Sequence, residues 1–333
     1  MKTKFVILGE GGDRALLSFA DILNDEDIQF IPDFYAKLNP LLRLLFKIHI
    51  TPRINRKIKL PLKKGWVNLV LKDIKFKHDE KICFVLFNIW IKYDELDVIG
   101  YIRRNYPKAK IVWNLRDIVK SLLSLETRGP LNIPDIMRRI DGAFSYDQGD
   151  CSRYGFHYYP LVFSQYKGKV EKMPYSDVFF VGMAKDRLNT ILKVYECCKS
   201  KGLRCDFIIV GVKEKDQKYT DDIIYNKKIS YYENIQHIIH TKCIIDVIQG
   251  GSVGYTQRIS EAICLRKKIL SNNPYIEEAP FYEKEYISYF ESPTKIDMDF
   301  LKNIHNEDIV NYDYQDKLSP RKFLEEIDEI ICD

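Results

Sequence analysis

Between Asp33 and Asp73 the sequence contains no acidic residue at all, although ten lysines and arginines fall there. That leaves 42 of the 52 bases to face 47 acids elsewhere, so the net charge of +5 belongs to this one segment. Long apolar runs are also missing. Nothing approaches the roughly 20 residues that a membrane-spanning helix needs, and Phe5–Leu8 is too short for the apolar core of a signal peptide. The eight cysteines form no CxxC pair and have no histidine at zinc spacing. Structural zinc is thereby set aside, and free thiols in a reducing, cytoplasmic setting are expected.

What is present is enough for two ordinary cores. A chain of 333 residues exceeds a usual single domain, and 46% hydrophobic with 30% charged residues is a globular composition. Short apolar segments alternate with helical patterns along the whole length. Strands are expected at Lys4–Leu8, Ile28–Ile31, Ile82–Asn88, Lys110–Leu115, Gly142–Tyr146 and Tyr158–Phe163, with a helix at Tyr93–Asn105. Residues 167–176 are polar and aperiodic, with Gly168 and Pro174, and read as a linker. A second series then starts: strand Val178–Val181, helix Leu188–Lys201, strand Phe207–Val210, a charged connection to about Lys228, helix Glu233–Thr241, strand Cys243–Val247, helix Thr256–Leu265 and strand Lys268–Leu270. A last helix is expected at Pro320–Ile331. The expectation is α/β, with two doubly wound Rossmann-like domains, 1–166 and 177–333, the last helix being free to pack back on the first.

Three glycine loops follow strands. The first, Gly9-Glu10-Gly11-Gly12 with Asp13 and Arg14, lacks the third glycine of a dinucleotide fingerprint. It serves equally as an anion contact or as a structural turn, and it weakens an oxidoreductase reading. The second, Gly182-Met-Ala-Lys185-Asp-Arg187, offers a planar guanidinium fork and a point charge to a diphosphate. Solvated surface charge is the plainer alternative. The third, Gln249-Gly250-Gly251-Ser-Val-Gly254-Tyr255-Thr256-Gln-Arg258-Ile-Ser-Glu261, ends on a helix for which Thr256 is a competent N-cap. Its free amides and dipole suit a phosphate, with Arg258 beside it and Glu261 placed for ribose hydroxyls. An internal Arg–Glu pair is the alternative. Tyr232, before the preceding helix, is a candidate to stack on a base or simply to pack at the rim.

These residues carry a resemblance. The stretch Phe180-Val-Gly182, Lys185, Arg187, Asp246, Gln249-Gly-Gly, Gly254-Tyr-Thr-Gln-Arg258, Glu261-Ala262 and Asn272-Asn273 resembles the donor domain of bacterial GT-B glycosyltransferases of lipopolysaccharide and capsule synthesis. The resemblance implies two Rossmann-like domains facing a cleft, a nucleotide-sugar donor, Glu261 on the donor ribose, and a glycan or lipid-linked glycan acceptor. It implies no bound metal and no cofactor beyond the substrate, because such enzymes neutralise the leaving phosphate with side chains and helix dipoles. Many retaining members carry a second glutamate where this chain has Val253, so the anomeric outcome stays open. A non-catalytic nucleotide- or glycan-binding protein of the same fold is the rival reading.

Catalysis needs a group that takes the acceptor proton. Asp117, after the strand Lys110–Leu115, is the first candidate and Asp13 the second, with Gly11, Gly12, Arg14 and Arg116 lining the same region. An Arg116–Asp117 charge pair at a helix start is the competing view. Residues 41–64, which interleave leucines with bases, suit an anionic membrane surface, with a merely solvated helix face or another polyanion as the alternatives. They carry no nucleic-acid motif, so nucleic acid is not an expected partner.

Overall fold

Strands that are apolar at every position have both faces covered, and Ile82–Phe87 is such a strand, with all six residues buried. The computed structural model describes residues 2–51, 54, 58, 60–124, 131–248, 253–305 and 310–332. Its strands are β1 (Lys4–Leu8), β2 (Ile28–Ile31), β3 (Ile82–Phe87), β4 (Lys110–Leu115), β5 (Gly142–Ser145), β6 (His157–Tyr158), β7 (Ser176–Met183), β8 (Cys205–Val210), β9 (Ile223–Tyr225), β10 (Thr241–Asp246), β11 (Lys268–Ser271) and β12 (Ile287–Tyr289). The first six form one sheet in the order 2-1-3-4-5-6 and the rest a second in the order 9-8-7-10-11-12. Every pairing is parallel.

Residues 1–160 with 320–333 form one compact unit, and 161–319 form the other. Each has its own core. Trp90, Trp113 and Phe84 are fully buried in the first, and Phe180, Phe207 and Ile245 in the second. Each such side chain contributes about 1.5–3 kcal/mol by burial. In each sheet the unit's first strand lies inside, β1 between β2 and β3, and β7 between β8 and β10. The winding therefore reverses beside β1 and beside β7, and open α/β sheets take their ligands at the strand carboxyl ends beside such a reversal.

Several boundaries differ from the sequence expectation. β9 and β12 are three-residue edge strands, too short to show a period. The helix expected at Tyr93–Asn105 begins only at Val98, because Asp97 adopts a left-handed conformation (φ 56°) that breaks it. The expected strand Tyr158–Phe163 stops at Tyr158. Beyond it the carbonyls of Leu161, Val162 and Phe163 accept from Ser260 Oγ (2.6 Å), Gln257 Nε2 (3.3 Å) and Cys264 Sγ (3.4 Å). Side chains of the helix Gln257–Cys264 thus take the bonds that a sheet neighbour would have made.

Candidate functional site

At the winding reversal of the second sheet, β7 and β10 end side by side. Asp246, the last residue of β10, is fully buried. Its carboxylate accepts from Thr256 Oγ1 (2.9 Å) and Ser271 Oγ (3.0 Å), with Arg258 Nη1 at 3.5 Å. Thr256 therefore does not cap the following helix as its sequence position suggested. It has extended N-cap geometry, but its hydroxyl is turned to the buried acid, and the first turn takes no side-chain cap. A carboxylate without water needs donors more than a helix end near the surface does.

Two arginines meet here. Arg258 donates from Nη2 (2.7 Å) and Nε (3.2 Å) to the Val181 carbonyl and lies 5.6 Å from the Phe180 ring centre. Arg187 donates to the carbonyls of Met183 (2.5 Å) and Val247. Burial first, and then the Arg258 charge, pull the Arg187 pKa down. Its Nε is buried and has no hydrogen-bond partner among the described residues. Two guanidinium groups around one carboxylate leave a half-buried excess of positive charge, an arrangement that an incoming anion relieves. Gly182 makes this approach possible, since a Cβ there would lie 2.7 Å from Arg258 Nη2.

Glu261 is buried three residues further along the helix and accepts from the Tyr231 hydroxyl at 2.6 Å. Sequence reasoning selected the neighbouring Tyr232 instead. That hydroxyl bonds Glu171 Oε1 (3.1 Å) and the Lys169 carbonyl (3.3 Å), so Tyr232 faces the 169–171 segment. Helical spacing was the missed signal, because Tyr231 and Tyr232 leave their helix about 100° apart. Lys185 is exposed in a left-handed turn (φ 45°). Tyr255 is buried edge-on against Phe281, with its hydroxyl on the Tyr275 carbonyl (3.2 Å), so it serves packing. The Gly254 carbonyl accepts from Asn273 (3.3 Å), while Gly250 and Gly251 lie outside the described residues.

The carboxyl edge of the first sheet has the opposite character. Gly12 adopts φ 101°, open to glycine and costly for other residues. It turns the chain after β1 into a short helix, leaving Gly11, Asp13 and Arg14 exposed. Arg116 is buried, with its guanidinium 5.2 Å and 5.7 Å from the rings of Phe87 and Phe19. Its Nε sits 3.1 Å from Glu10 Oε1. The side chain of Arg116 thus points inward and pairs with Glu10, while its charge also acts on Asp117. Asp117, by contrast, is exposed at the surface. Burial and the Glu10 charge raise its pKa, against the pull of Arg14, Arg116 and a hydrogen bond with Asn88. Tyr146, after β5, is also pushed upward, by burial and then by Asp117. Glu10 escaped the sequence reading because a single acid inside a glycine turn has no pattern.

Two acid pairs have DxD spacing, Asp25 with Asp27 and Asp297 with Asp299. Asp27 is held well down, to about 2, by Lys2 and Lys4, and Asp297 caps its own helix through Asp299 N (2.8 Å) and Phe300 N (3.1 Å). Among the described residues no three His, Cys, Asp or Glu side chains gather as a metal-holding group.

No protein-family profile and no curated protein matches this chain. Solved structures do. HepE of Anabaena, in complex with UDP and glucose, superposes over 99% of this chain and 100% of its own, with TM-score 0.56 at 11% identity. The fold is GT-B. An alpha-glucosyltransferase in complex with UDP-glucose and DNA containing an abasic site is similar over 99% of both chains (TM-score 0.53, 12% identity). So is a putative UDP-N-acetylglucosamine 2-epimerase of Listeria monocytogenes, over 99% and 96% (TM-score 0.51, 11% identity). This GT-B scaffold thus has two switch points, one cationic and one acidic.

Proposed function

We propose that the protein is a glycosyltransferase that moves a sugar from a nucleotide-sugar onto a growing cell-surface glycan of the lipopolysaccharide or capsule type. One observation carries the reading: Arg187 and Arg258 converge on the β7/β10 switch point around a single buried acid, with the Arg187 Nε unpartnered among the described residues. A diphosphate fits that excess charge, and the helix beginning at Gln257 adds its positive dipole end. Glu261, held by Tyr231, takes the ribose hydroxyls. In the transfer itself the acceptor hydroxyl attacks the anomeric carbon and the bond to the phosphate oxygen breaks. The hydroxyl proton passes to Asp117, and the arginines neutralise the departing diphosphate without a metal. The first domain, in this reading, presents the glycan or lipid-linked acceptor.

HepE and the alpha-glucosyltransferase are both described with UDP-glucose or its parts, so UDP-sugars head the donor series, followed by GDP-, CDP- and dTDP-sugars. The test is calorimetric titration of these donors, followed by chromatography of nucleotide released in the presence of glycan acceptors. Binding with acceptor-dependent release of nucleoside diphosphate supports the proposal. Interconversion of the sugar with the nucleotide still attached overturns it in favour of an epimerase-type reaction. No binding of any donor overturns it altogether.

A further inference from the structure

At the carboxyl edge of the first sheet, β3 and β4 end side by side, with Phe87 in register with Asn114. Asn88 follows β3 directly and opens the short helix Asn88–Lys92, while Asp117 comes two residues after β4. Neighbouring parallel strands thus bring an amide and a carboxylate to one edge although they are distant in the sequence.

Asn88 stands between two partners with opposite demands. Its Oδ1 accepts from Trp113 Nε1 at 3.0 Å, and Trp113 is fully buried in β4. An indole N–H donates and never accepts, so it decides which end of the amide is which. The oxygen must face Trp113. The Nδ2 donors are left for the Asp117 carboxylate, with which Asn88 shares a hydrogen bond. Turning the amide over would set two acceptors against each other at Asp117 and leave the buried indole without a partner.

Charged and ionisable groups face Asp117 as well. Glu10 and Arg14 come from the turn after β1, Arg116 precedes it in the chain, and Tyr146 follows β5. Against burial and the Glu10 charge, Arg14, Arg116 and the Asn88 bond favour the ionised form. Charges act on a carboxylate whatever its torsion, whereas a hydrogen bond from a fixed amide also sets its direction.

We infer that Asn88, locked by the Trp113 indole, is a positioning residue that orients the Asp117 carboxylate to take the acceptor proton. The inference rests on the reading of Asp117 as the base and adds a residue that acts through it.

The test compares Asn88→Asp and Asn88→Ala with wild type in the full chain, each with and without Asp117→Asn. Infrared difference spectra across pH follow the protonated Asp117 carboxyl, assigned in each background as the band that Asp117→Asn removes, and need no substrate. The pH profile of kcat follows the same group in turnover. Asn88→Asp keeps an oxygen for Trp113 but sets a second carboxylate against Asp117, so the Asp117 midpoint should rise by about one pH unit, and the acidic limb of kcat with it. Asn88→Ala removes the donor without adding charge and should shift both in the same direction by less. In both variants kcat on the plateau should fall about tenfold, a small part of what a positioned base supplies, with donor KM unchanged. Midpoints equal to wild type in both variants overturn the inference and leave Asn88 as a support for Trp113. Midpoints that move while the kcat limb stays in place overturn it too. Full turnover by Asp117→Asn alone overturns the reading of Asp117 as the base, and with it this inference. The two failures differ, because in the first Asp117→Asn is still inactive.

Discussion

The two switch points are built alike and charged oppositely. Both lie at the carboxyl ends of parallel strands, beside the first strand of a doubly wound sheet. The second gathers Arg187 and Arg258 around one fully buried acid, whereas the first buries Arg116 against aromatic rings and leaves Glu10 and Asp117 outermost, with Arg14 exposed near them. The winding order marks the ligand position in each case, and it says nothing about what enters. Chemistry is set by which sign of charge is left accessible there: positive for a phosphate, negative for a proton acceptor.

The largest expected effect removes the acidic half of this contrast. Asp117→Asn should lower kcat by about 10²–10⁴-fold, the usual worth of a positioned base, while calorimetric donor affinity stays unchanged. Unaltered turnover would make the first edge a structural feature only. Arg258→Ala should weaken donor binding roughly 100-fold, since hydrogen bonds to charged groups contribute about 1.5–3 kcal/mol each. It should also lower the melting temperature, because Asp246 loses its cation. A lower melting temperature with full donor affinity would show that Arg258 serves only to hold Asp246. Gly182→Ala is gentler: the added methyl must push Arg258 Nη2 aside from 2.7 Å. Donor affinity about tenfold weaker is expected, near 1.4 kcal/mol. An unchanged titration curve would mean the guanidinium position is not used.

The sequence made the two sheets legible because their strands are apolar runs set off by glycine turns and helical periods, as at Ile82–Phe87 and Thr241–Asp246. It was less informative where a residue's partner lies far along the chain. Thr256 has the sequence position of a helix cap, yet Asp246 claims its hydroxyl. Tyr231 and Tyr232 are adjacent and equivalent as letters, and only the helix phase sends one to Glu261 and the other to Glu171. The acid-free stretch looked like a uniform basic surface, but Asp73, Glu95 and Asp97 fold over three of its lysines. Arg116 likewise read as a site residue, and its aromatic neighbours Phe19 and Phe87 come from two other elements.

The smallest effect sharpens the contrast most directly, because it measures whether Asp117 is held at a cost. Its folded pKa lies above the ordinary carboxylate value, chiefly through burial and then through Glu10. Between the unfolded and folded pKa the native state therefore binds more protons, and stability falls as pH rises through that window. Above the folded pKa the ionised carboxylate destabilises the fold by a constant amount. Asparagine does not ionise and keeps a polar group beside Asn88, so Asp117→Asn should melt slightly higher than wild type at neutral pH. That advantage should disappear when both are melted at a pH below the normal carboxylate range. The same raised pKa predicts that wild-type turnover declines on acidification at a pH above that of an ordinary aspartate, as the base becomes protonated. A melting difference independent of pH would mean that Asp117 is simply solvated, and the first edge would then lose its claim to be a proton acceptor while the cationic edge kept its claim to the phosphate.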